Sequence, residues 1–204
     1  MIIVDCEQGT PEWFEARCGI PTASCFNKII TSTGAKSKQS GKYLNQLAGE
    51  SIVGVQESYT SPAMETGKER EAAARSLFEM LRDVDVQEVG LCYKDDKKTV
   101  SCSPDGLIGD DSGLEVKCPN LATHVGYLIA NKVPTEYVAQ VQGSMYVTGR
   151  KSWVFMSYFP GMEPLIIDVK RDDDFIEKLD DLITSFNKKL ADVCNQLQGV
   201  KNAA

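Results

Sequence analysis

Apolar and polar residues recur along this chain with two periods, one typical of helices and one typical of strands. The helical period predicts helices at 11–17, 22–30, 42–53, 64–81, 121–131 and 135–147, and from about 172 to 198. Alternation with a period of two, bounded by turn residues, predicts strands at 86–92, 98–103, 113–117, 152–158 and 164–170. Helices, a run of strands, more helices and two final strands indicate an α/β (α+β) fold with helices flanking a central mixed sheet.

The length of 204 residues suits one domain with a sizeable core. We therefore predict a single domain over 1–204 with a C-terminal helix (about 172–198) that frays from Gly199 onward. At the other end of the chain, Pro11 marks the start of the first helix and Thr22 is expected to cap the second.

The predicted helix at 64–81 combines an apolar stripe with one acid at its edge. The stripe, which we expect to be buried, consists of Ala74, Leu77, Phe78 and Leu81. Glu71 lies beside this stripe, and two interpretations remain open for it. It either forms an ordinary surface pair with Arg75, one helical turn away, or turns inward to a site that supplies it with a partner.

A short hairpin motif at 101–119 carries the most suggestive chemistry in the chain. The turn residues at 109–113 fold the segment with Asp105 back beside Glu115, and strand alternation places Glu115 and Lys117 on one face. Two converging carboxylates need neutralising, and Mg²⁺ with a nearby lysine supplies the parts for metal-assisted phosphodiester hydrolysis. The bare pattern is equally consistent with Asp105 opening a turn and with Glu115 and Lys117 on a solvated face.

The charge of the chain gives mixed evidence about nucleic-acid binding. The net charge is −7, which is unusual for a nucleic-acid enzyme. The stretch 16–49, however, contains no acid and five basic residues: Arg17, Lys28, Lys36, Lys38 and Lys42. This stretch is either a strip that grips a phosphate backbone or an ordinary solvated loop. Within it, the small and polar residues of 31–41 predict a mobile loop that orders on a ligand.

The remaining reactive residues exclude several kinds of site. The seven cysteines are odd in number and contain no Cys-x-x-Cys spacing, which argues against a disulfide framework and against zinc or iron–sulfur ligation. The single histidine, His124, is expected to be a packing or surface residue. Gln140 and Gln142 do not share a helix face, so we expect at least one of them to be exposed. The chain has no apolar run of the length that a membrane span needs, and its first residues do not resemble a secretory signal.

Five stretches in register resemble the phage lambda exonuclease family. These are the viral-type (YqaJ-like) alkaline exonucleases of the restriction-endonuclease-like PD-(D/E)xK superfamily. The matching stretches lie at 13–24, 67–79, 102–107, 113–119 and 139–145, and they include Ser-Pro-Asp-Gly-Leu at 103–107 and Gly-Leu-Glu-Val-Lys-Cys-Pro at 113–119. The resemblance implies a restriction-endonuclease-like fold.

The resemblance also implies roles for individual residues. The metal ligands and catalytic groups would be Asp105, Glu115, the Val116 carbonyl, Glu71, Lys117 and Gln140. Lys117 would lie beside the attacking water, with Gln140 positioning both. Arg17, Ser24 and Ser103 would form a pocket for a 5′-phosphate, and Met64 would match an apolar wedge at the terminal base pair. The further expected DNA contacts are Trp13, Lys36, Lys38 and Lys42.

By this resemblance the expected activity is that of a Mg²⁺-dependent exonuclease, with two ions per active site and Mn²⁺ as an alternative metal. It would degrade one strand of linear double-stranded DNA from the 5′ end to mononucleotides, leaving 3′ overhangs for a single-strand annealing protein. We expect a homotrimeric ring, encoded by a phage or prophage and acting in the bacterial cytoplasm. Two alternatives are an endonuclease or junction-cleaving enzyme of the same superfamily and a catalytically silent DNA-end-binding protein.

Overall fold

The computed structural model describes residues 1–55 and 62–203, with the side chains of 62–69 and 200–203 left out of the description. Within this part of the chain the helices are α1 (Pro11–Arg17), a 3₁₀ helix (Ala23–Lys28), α2 (Ser40–Val53), α3 (Pro62–Arg82), α4 (Leu121–Ala130), α5 (Thr135–Thr148) and α6 (Asp173–Ala203). The strands are β1 (Ile2–Val4), β2 (Val86–Gln87), β3 (Leu91–Tyr93), β4 (Ser101–Cys102), β5 (Gly106–Ile108), β6 (Ser112–Lys117), β7 (Ser152–Ser157) and β8 (Leu165–Lys170).

The larger sheet has five strands in the order β2-β5-β6-β7-β8. Strands β6 and β7 run parallel, with Glu115 opposite Phe155, while the other neighbours are antiparallel. The parallel pair is joined through α4 and α5, as a crossover connection requires. The predicted mixed sheet flanked by helices is therefore confirmed.

Apolar side chains cover both faces of this sheet. One cluster joins β7 to the 3₁₀ helix, α2, α5 and α6 and includes Phe26, Leu47, Val141, Phe155 and Leu179. The other packs α3 against the opposite face and includes Ala74, Phe78, Leu114, Val116 and Met156. Because side chains alternate along a strand, burying Leu114 and Val116 against α3 turns Glu115 and Lys117 toward the opposite face.

A smaller sheet in the order β1-β3-β4 lies apart from the main one, and it explains two errors in the predicted strands. The strand predicted at 86–92 is wrong, because it splits into β2 and β3, which belong to different sheets. The break lies beside Gly90, where a Cβ would come within 1.8 Å of the Cys6 carbonyl oxygen. The strand predicted at 98–103 is too long, since Lys98 adopts a left-handed conformation (φ 54°) in a turn. Strand β1 was not predicted.

Further sequence expectations need correction. Leu81 is 51% exposed, because the apolar face of α3 ends at Phe78 and Leu81 lies in the last turn. Thr22 does not cap a helix with its side chain; it precedes a 3₁₀ helix and forms a backbone bridge with Ser101. The C-terminal helix extends to Ala203, beyond the predicted end near 198.

The loop predicted at 31–41 has a hydrogen-bonded conformation. The Thr31 amide donates to the Ala35 carbonyl at 2.7 Å, and the Ser37 amide donates to the Ile29 carbonyl at 2.8 Å. Helix α2 begins at Ser40, earlier than predicted. Among the described residues, no helix combines the length and apolar character that crossing a bilayer requires.

Candidate active site

Strands β5 and β6 form the predicted hairpin and bring the two acids together. Their register pairs Gly106 with Leu114, so Asp105 emerges directly beside the backbone of Glu115 and Val116. The Asp105 carboxylate accepts a hydrogen bond from the Val116 amide at 2.6 Å (Oδ2 to N). The acid of one strand is thus anchored on the backbone of the next, as the turn residues predicted.

One buried arginine holds the hairpin turn. Arg150 follows the left-handed C-cap of α5, and its Nη1 donates to the carbonyls of Ile108 (3.1 Å), Gly109 (2.7 Å) and Ser112 (2.6 Å). These three acceptors flank the turn on both sides, so a single guanidinium closes it. Sequence reasoning missed Arg150, because nothing near it in the chain indicates a partner about 40 residues earlier.

Glu115 is the most enclosed acid of the site and has two donors on one oxygen. The residue is 1% exposed, and its Oε1 accepts from Lys117 Nζ and Gln140 Nε2, each at 2.5 Å. Its other oxygen, Oε2, is buried and has no hydrogen-bond partner among the residues that the structure describes. The structure therefore brings Glu115, Lys117 and Gln140 into direct contact and leaves one carboxylate oxygen facing inward for a ligand.

Burial dominates the electrostatics of these groups. Desolvation raises the pKa of Glu115 to about 8, and the charges of Asp105 and Glu71 add to this rise while Lys117 opposes it. Desolvation also raises the pKa of Asp105, against the lowering effects of Lys117 and of the Val116 amide. Burial by itself lowers the pKa of Lys117, but the neighbouring carboxylates raise it above its ordinary value. The site therefore favours a cation beside its acids.

Glu71 enters the same site from α3. Together with Asp105 and Arg75 it lines a cleft of about 460 Å³, whose other walls include Asp5 and Glu7. Arg75 forms an ion pair with Glu88 at 2.5 Å on the rim of this cleft. The inward-facing interpretation of Glu71 is the one that this geometry supports.

These residues fit a hard divalent cation. Among the side chains that the structure describes, no three or more His, Cys, Asp or Glu groups form a metal cluster by themselves. Mg²⁺ takes one or two protein carboxylates and completes its shell with water and substrate phosphate. Asp105 and the free Oε2 of Glu115 supply such a pair, and Val116, whose carbonyl is the further expected ligand, lies between Glu115 and Lys117 on β6.

The two glutamines of α5 both find partners, so the expectation that one is exposed is wrong. Gln140 reaches Glu115, as described above. Gln142 is buried; its Nε2 donates to the Lys170 carbonyl at 2.9 Å, and its Oε1 accepts from the Asp172 amide at 3.0 Å. The two side chains do point to different faces of α5, but neighbouring parts of the protein cover both of these faces.

A second cluster gathers the residues expected to bind a 5′-phosphate. Arg17 Nη2 donates to Ser24 Oγ at 3.5 Å, and the guanidinium lies 4.0 Å above the centre of the Trp13 ring. The indole Nε1 donates to Ser103 Oγ at 2.9 Å. Residues that are up to 90 positions apart in the chain therefore form one continuous group.

Arg17 has a hydrogen-bond donor that is not used within this group. Within the described part of the chain its Nε is buried without a hydrogen-bond partner, and burial lowers the pKa of the guanidinium below its ordinary value. A buried donor without a partner is costly, and an anionic acceptor removes that cost. Ser103 stands two residues before Asp105, which joins this cluster to the acids of the hairpin.

Other expected DNA contacts are not joined to either cluster by any described hydrogen bond or ion pair. Lys36, Lys38 and Lys42 are exposed, the first two in the loop and the third in the first turn of α2. The side chain of Met64 lies outside the described residues, so the apolar wedge stays a prediction.

The single histidine has one of the two roles that were expected of it. His124 is buried, with Nδ1 2.8 Å from Ser157 Oγ and Nε2 3.0 Å from the Glu163 carbonyl. This confirms a packing role. All seven cysteines are free.

Residues 12–151 match the model of the YqaJ-like viral recombinase domain. The chain belongs to this family. The YqaJ-like chain has a fold similar to that of an alkaline exonuclease from Laribacter hongkongensis, with a TM-score of 0.86 and 31% identity over 96% of this chain and 100% of that one. A structure of the same enzyme in complex with dAMP matches equally well.

A phage-related exonuclease from Haemophilus somnus 129PT shares the fold, with a TM-score of 0.71 and 14% identity over 87% of this chain and 96% of that one. No curated protein sequence matches the chain. The YqaJ-like chain is therefore a member of the viral-type alkaline exonuclease family with a fold of the PD-(D/E)xK type.

Proposed function

We propose that this protein is a Mg²⁺-dependent exonuclease that degrades one strand of linear double-stranded DNA from its 5′ end. It releases mononucleotides and leaves 3′ single-stranded overhangs. The observation that carries the proposal is the convergence of three groups on one hairpin. Asp105 accepts from the Val116 amide, Lys117 donates to Glu115, and the other, buried oxygen of Glu115 has no partner among the described residues. The 31% identity to an alkaline exonuclease supports the same chemistry.

Asp105 and Glu115 would hold the metal through their carboxylates, with the Val116 carbonyl and Glu71 as further ligands. Mg²⁺ would supply charge stabilisation at the phosphate oxygens of the reacting bond. Lys117 carries donors but no acceptor in its ammonium form, so it orients the attacking water and stabilises developing negative charge. Glu71, on the cleft wall, would act with Lys117 on the same water, which the two residues orient or deprotonate. Gln140 holds the Glu115 carboxylate in place against Lys117.

The cluster of Arg17, Ser24 and Ser103 supports the polarity of the reaction. A guanidinium and two hydroxyls are suited to the oxygens of a terminal phosphate. Since Ser103 lies two residues from Asp105, a phosphate held there has its strand end beside the metal ligands. The Laribacter hongkongensis exonuclease has been crystallised with dAMP, a mononucleotide, which supports mononucleotides as the products here.

The assembly and the setting form a further part of the proposal. A homotrimeric ring would confine positive charge to a central channel and so reconcile a net charge of −7 with DNA binding. Two metal ions per site, with Mg²⁺ or Mn²⁺, and a single-strand annealing protein as partner complete the proposed system. We place it in the cytoplasm of a bacterial host that carries the phage or prophage.

The decisive experiment compares three DNAs incubated with the protein and Mg²⁺ or Mn²⁺: a linear duplex with 5′-phosphates, the same duplex with 5′-hydroxyls, and a closed circle. We expect mononucleotide release from the linear duplexes, fastest with 5′-phosphates, while the circle stays intact. Cutting of the circle would assign the metal site to an endonuclease. Absence of cleavage with either metal would leave a DNA-end-binding protein.

A matched pair of variants links the activity to the hairpin. Asp105→Asn should abolish cleavage, because it removes a proposed metal ligand while keeping an acceptor for the Val116 amide. Asp111→Asn should leave cleavage unchanged, since Asp111 lies in the same hairpin and, among the described residues, its carboxylate pairs with the exposed Lys151 alone, at 3.1 Å. Equal activity of the two variants would remove Asp105 from the site.

A further inference from the structure

Trp13 lies between two groups of the proposed phosphate pocket and touches them with different parts of its ring. Its face carries the Arg17 guanidinium, 4.0 Å from the ring centre. Its edge carries the indole N–H, which donates to Ser103 Oγ at 2.9 Å and to the Gly90 carbonyl at 3.0 Å. One side chain therefore sets the position of both a cation and a hydroxyl.

The direction of the bond to Ser103 is fixed by chemistry. An indole nitrogen only donates, so the Ser103 oxygen must accept. A serine hydroxyl has one hydrogen and two lone pairs, and the N–H of Trp13 uses one of the lone pairs. Within the described part of the chain no group accepts the hydroxyl hydrogen of Ser103. That hydrogen is directed away from Trp13 and is left for a ligand.

The same logic applies to Ser24. Its oxygen accepts from Arg17 Nη2 at 3.5 Å, so its hydroxyl hydrogen also turns away from the protein donor. The buried Nε of Arg17 adds a further donor that has no partner among the described residues. A phosphate, whose oxygens only accept when it is fully ionised, matches this set better than a 5′-hydroxyl does.

We propose that Trp13 is a positioning residue for recognition of the 5′-phosphate: it makes Ser103 a hydrogen-bond donor and holds the guanidinium plane of Arg17, and it does so without contacting DNA. This inference rests on the proposed function and deepens it. It differs from the expectation that Trp13 contacts DNA directly. Ser103 and Arg17 are the groups that bind the phosphate. Because Trp13 acts through them, its effect is specific to 5′-phosphorylated ends.

The test measures the affinity of a fluorescent hairpin duplex, in EDTA to prevent cleavage, with either a 5′-phosphate or a 5′-hydroxyl end. The readout is the ratio of the two affinities. Trp13→Phe keeps a ring under Arg17 but removes the N–H. We expect the preference for 5′-phosphate to fall about tenfold, because Ser103 is no longer held as a donor toward the phosphate, with little change for the 5′-hydroxyl end. An unchanged ratio would overturn the inference.

A double-mutant cycle separates positioning from a general structural effect. Ser103→Ala removes the hydroxyl on which Trp13 acts. Adding Trp13→Phe to Ser103→Ala should then change the ratio by less than about twofold, because the two changes remove one interaction. Full additivity of the two effects would show that Trp13 does not act through Ser103 and would overturn the inference.

The other tryptophan of the chain provides the matched control. Trp153 is fully buried in the sheet core, where it packs on Gly113. It is not one of the residues assigned to the pocket. Trp153→Phe should lower the melting temperature and leave the affinity ratio unchanged. A ratio that falls equally in both variants would assign the effect of Trp13→Phe to stability alone and overturn the inference.

A second replacement protects the test against misfolding. If Trp13→Phe unfolds, benzothienylalanine at position 13 keeps the shape of the indole and exchanges its N–H for sulfur. The same fall in the ratio is expected. A protein that cleaves DNA but shows no 5′-phosphate preference in its native form would overturn this inference and the pocket while keeping the nuclease. A normal preference that survives the loss of the N–H would overturn this inference alone.

Discussion

The two halves of the site solve opposite electrostatic problems. The hairpin half, β5 and β6 with α5, buries the acids Asp105 and Glu115 and neutralises them incompletely with Lys117. The N-terminal half, α1 with the 3₁₀ helix and β4, holds Arg17 with a buried donor that lacks a partner. One half lacks a cation and the other lacks an anion. A DNA end with its phosphate and a bound metal ion supplies both, so each half is complete only with its ligand.

This contrast predicts that changes in the hairpin half reduce turnover and changes in the N-terminal half reduce discrimination between DNA ends. The variants below test that division, from the largest expected effect to the smallest.

Lys117→Ala should reduce hydrolysis about 1,000-fold, because the site loses the only cation in contact with Glu115 among the described residues. Binding of DNA ends in Mg²⁺ should persist, since the phosphate pocket is intact. Single-turnover cleavage and an end-binding assay measure the two quantities. Lys151→Ala, which removes an exposed lysine near the same hairpin, is the control. Substantial residual cleavage by Lys117→Ala would exclude this lysine from the chemistry.

Arg17→Ala should erase most of the preference for 5′-phosphorylated ends, a loss of about 10- to 100-fold in kcat/KM for those ends alone. Rates on 5′-hydroxyl ends should barely change. Lys28→Ala is the control, because Lys28 stacks on Tyr43. Lys28 can act on DNA only through the long-range attraction of its charge, which affects 5′-phosphate and 5′-hydroxyl ends equally. If Arg17→Ala slowed the cleavage of both kinds of end equally, the division between the two halves of the site would be wrong.

Gln140→Leu and Gln142→Leu separate turnover from stability within one helix. Loss of Gln140 removes one of two donors to Glu115 and should lower turnover about tenfold with little change in melting temperature. Loss of Gln142 removes the side-chain donor to the Lys170 carbonyl and the acceptor of the Asp172 amide. It should lower the free energy of unfolding by about 1 kcal/mol and leave turnover unchanged. Reversed outcomes would contradict the positions assigned to the two side chains.

Arg82→Ala should have the smallest effect. Its ion pair with Asp168, at 2.9 Å, joins two side chains that are 38% and 68% exposed and lie outside both halves. The expected loss in the free energy of unfolding is below about 1 kcal/mol, with turnover and end preference unaffected. Denaturant titration measures the first quantity and the cleavage assay the others. A change in end preference would show that the halves extend further than described.

The hairpin half was predictable from the sequence because its determinants are local. Turn residues at 109–111 and the alternation of Leu114, Glu115, Val116 and Lys117 suffice to place the acid and the lysine on one face. Neither the three carbonyls bound by Arg150 nor the contact of Gln140 with Glu115 could be derived, since each depends on how α5 packs on the sheet.

The N-terminal half was accessible only through resemblance to a family. Its residues come from three separate elements, and the bond between Trp13 and Ser103 spans 90 positions. The same non-local packing explains the incorrect strand at 86–92. Gly90 leaves room for the Cys6 backbone, and no local pattern records that approach.

The grip of Arg150 on the hairpin also limits how this protein can change. Exposed turns are ordinarily where chains accept insertions and tags. Here one guanidinium binds carbonyls on both sides of the turn, so this contact restricts the number of residues between Ile108 and Ser112. One extra residue would separate the carbonyls that this guanidinium joins and break its contact with one side of the turn. An exposed turn is therefore restricted in length by a buried side chain that follows it by about 40 residues.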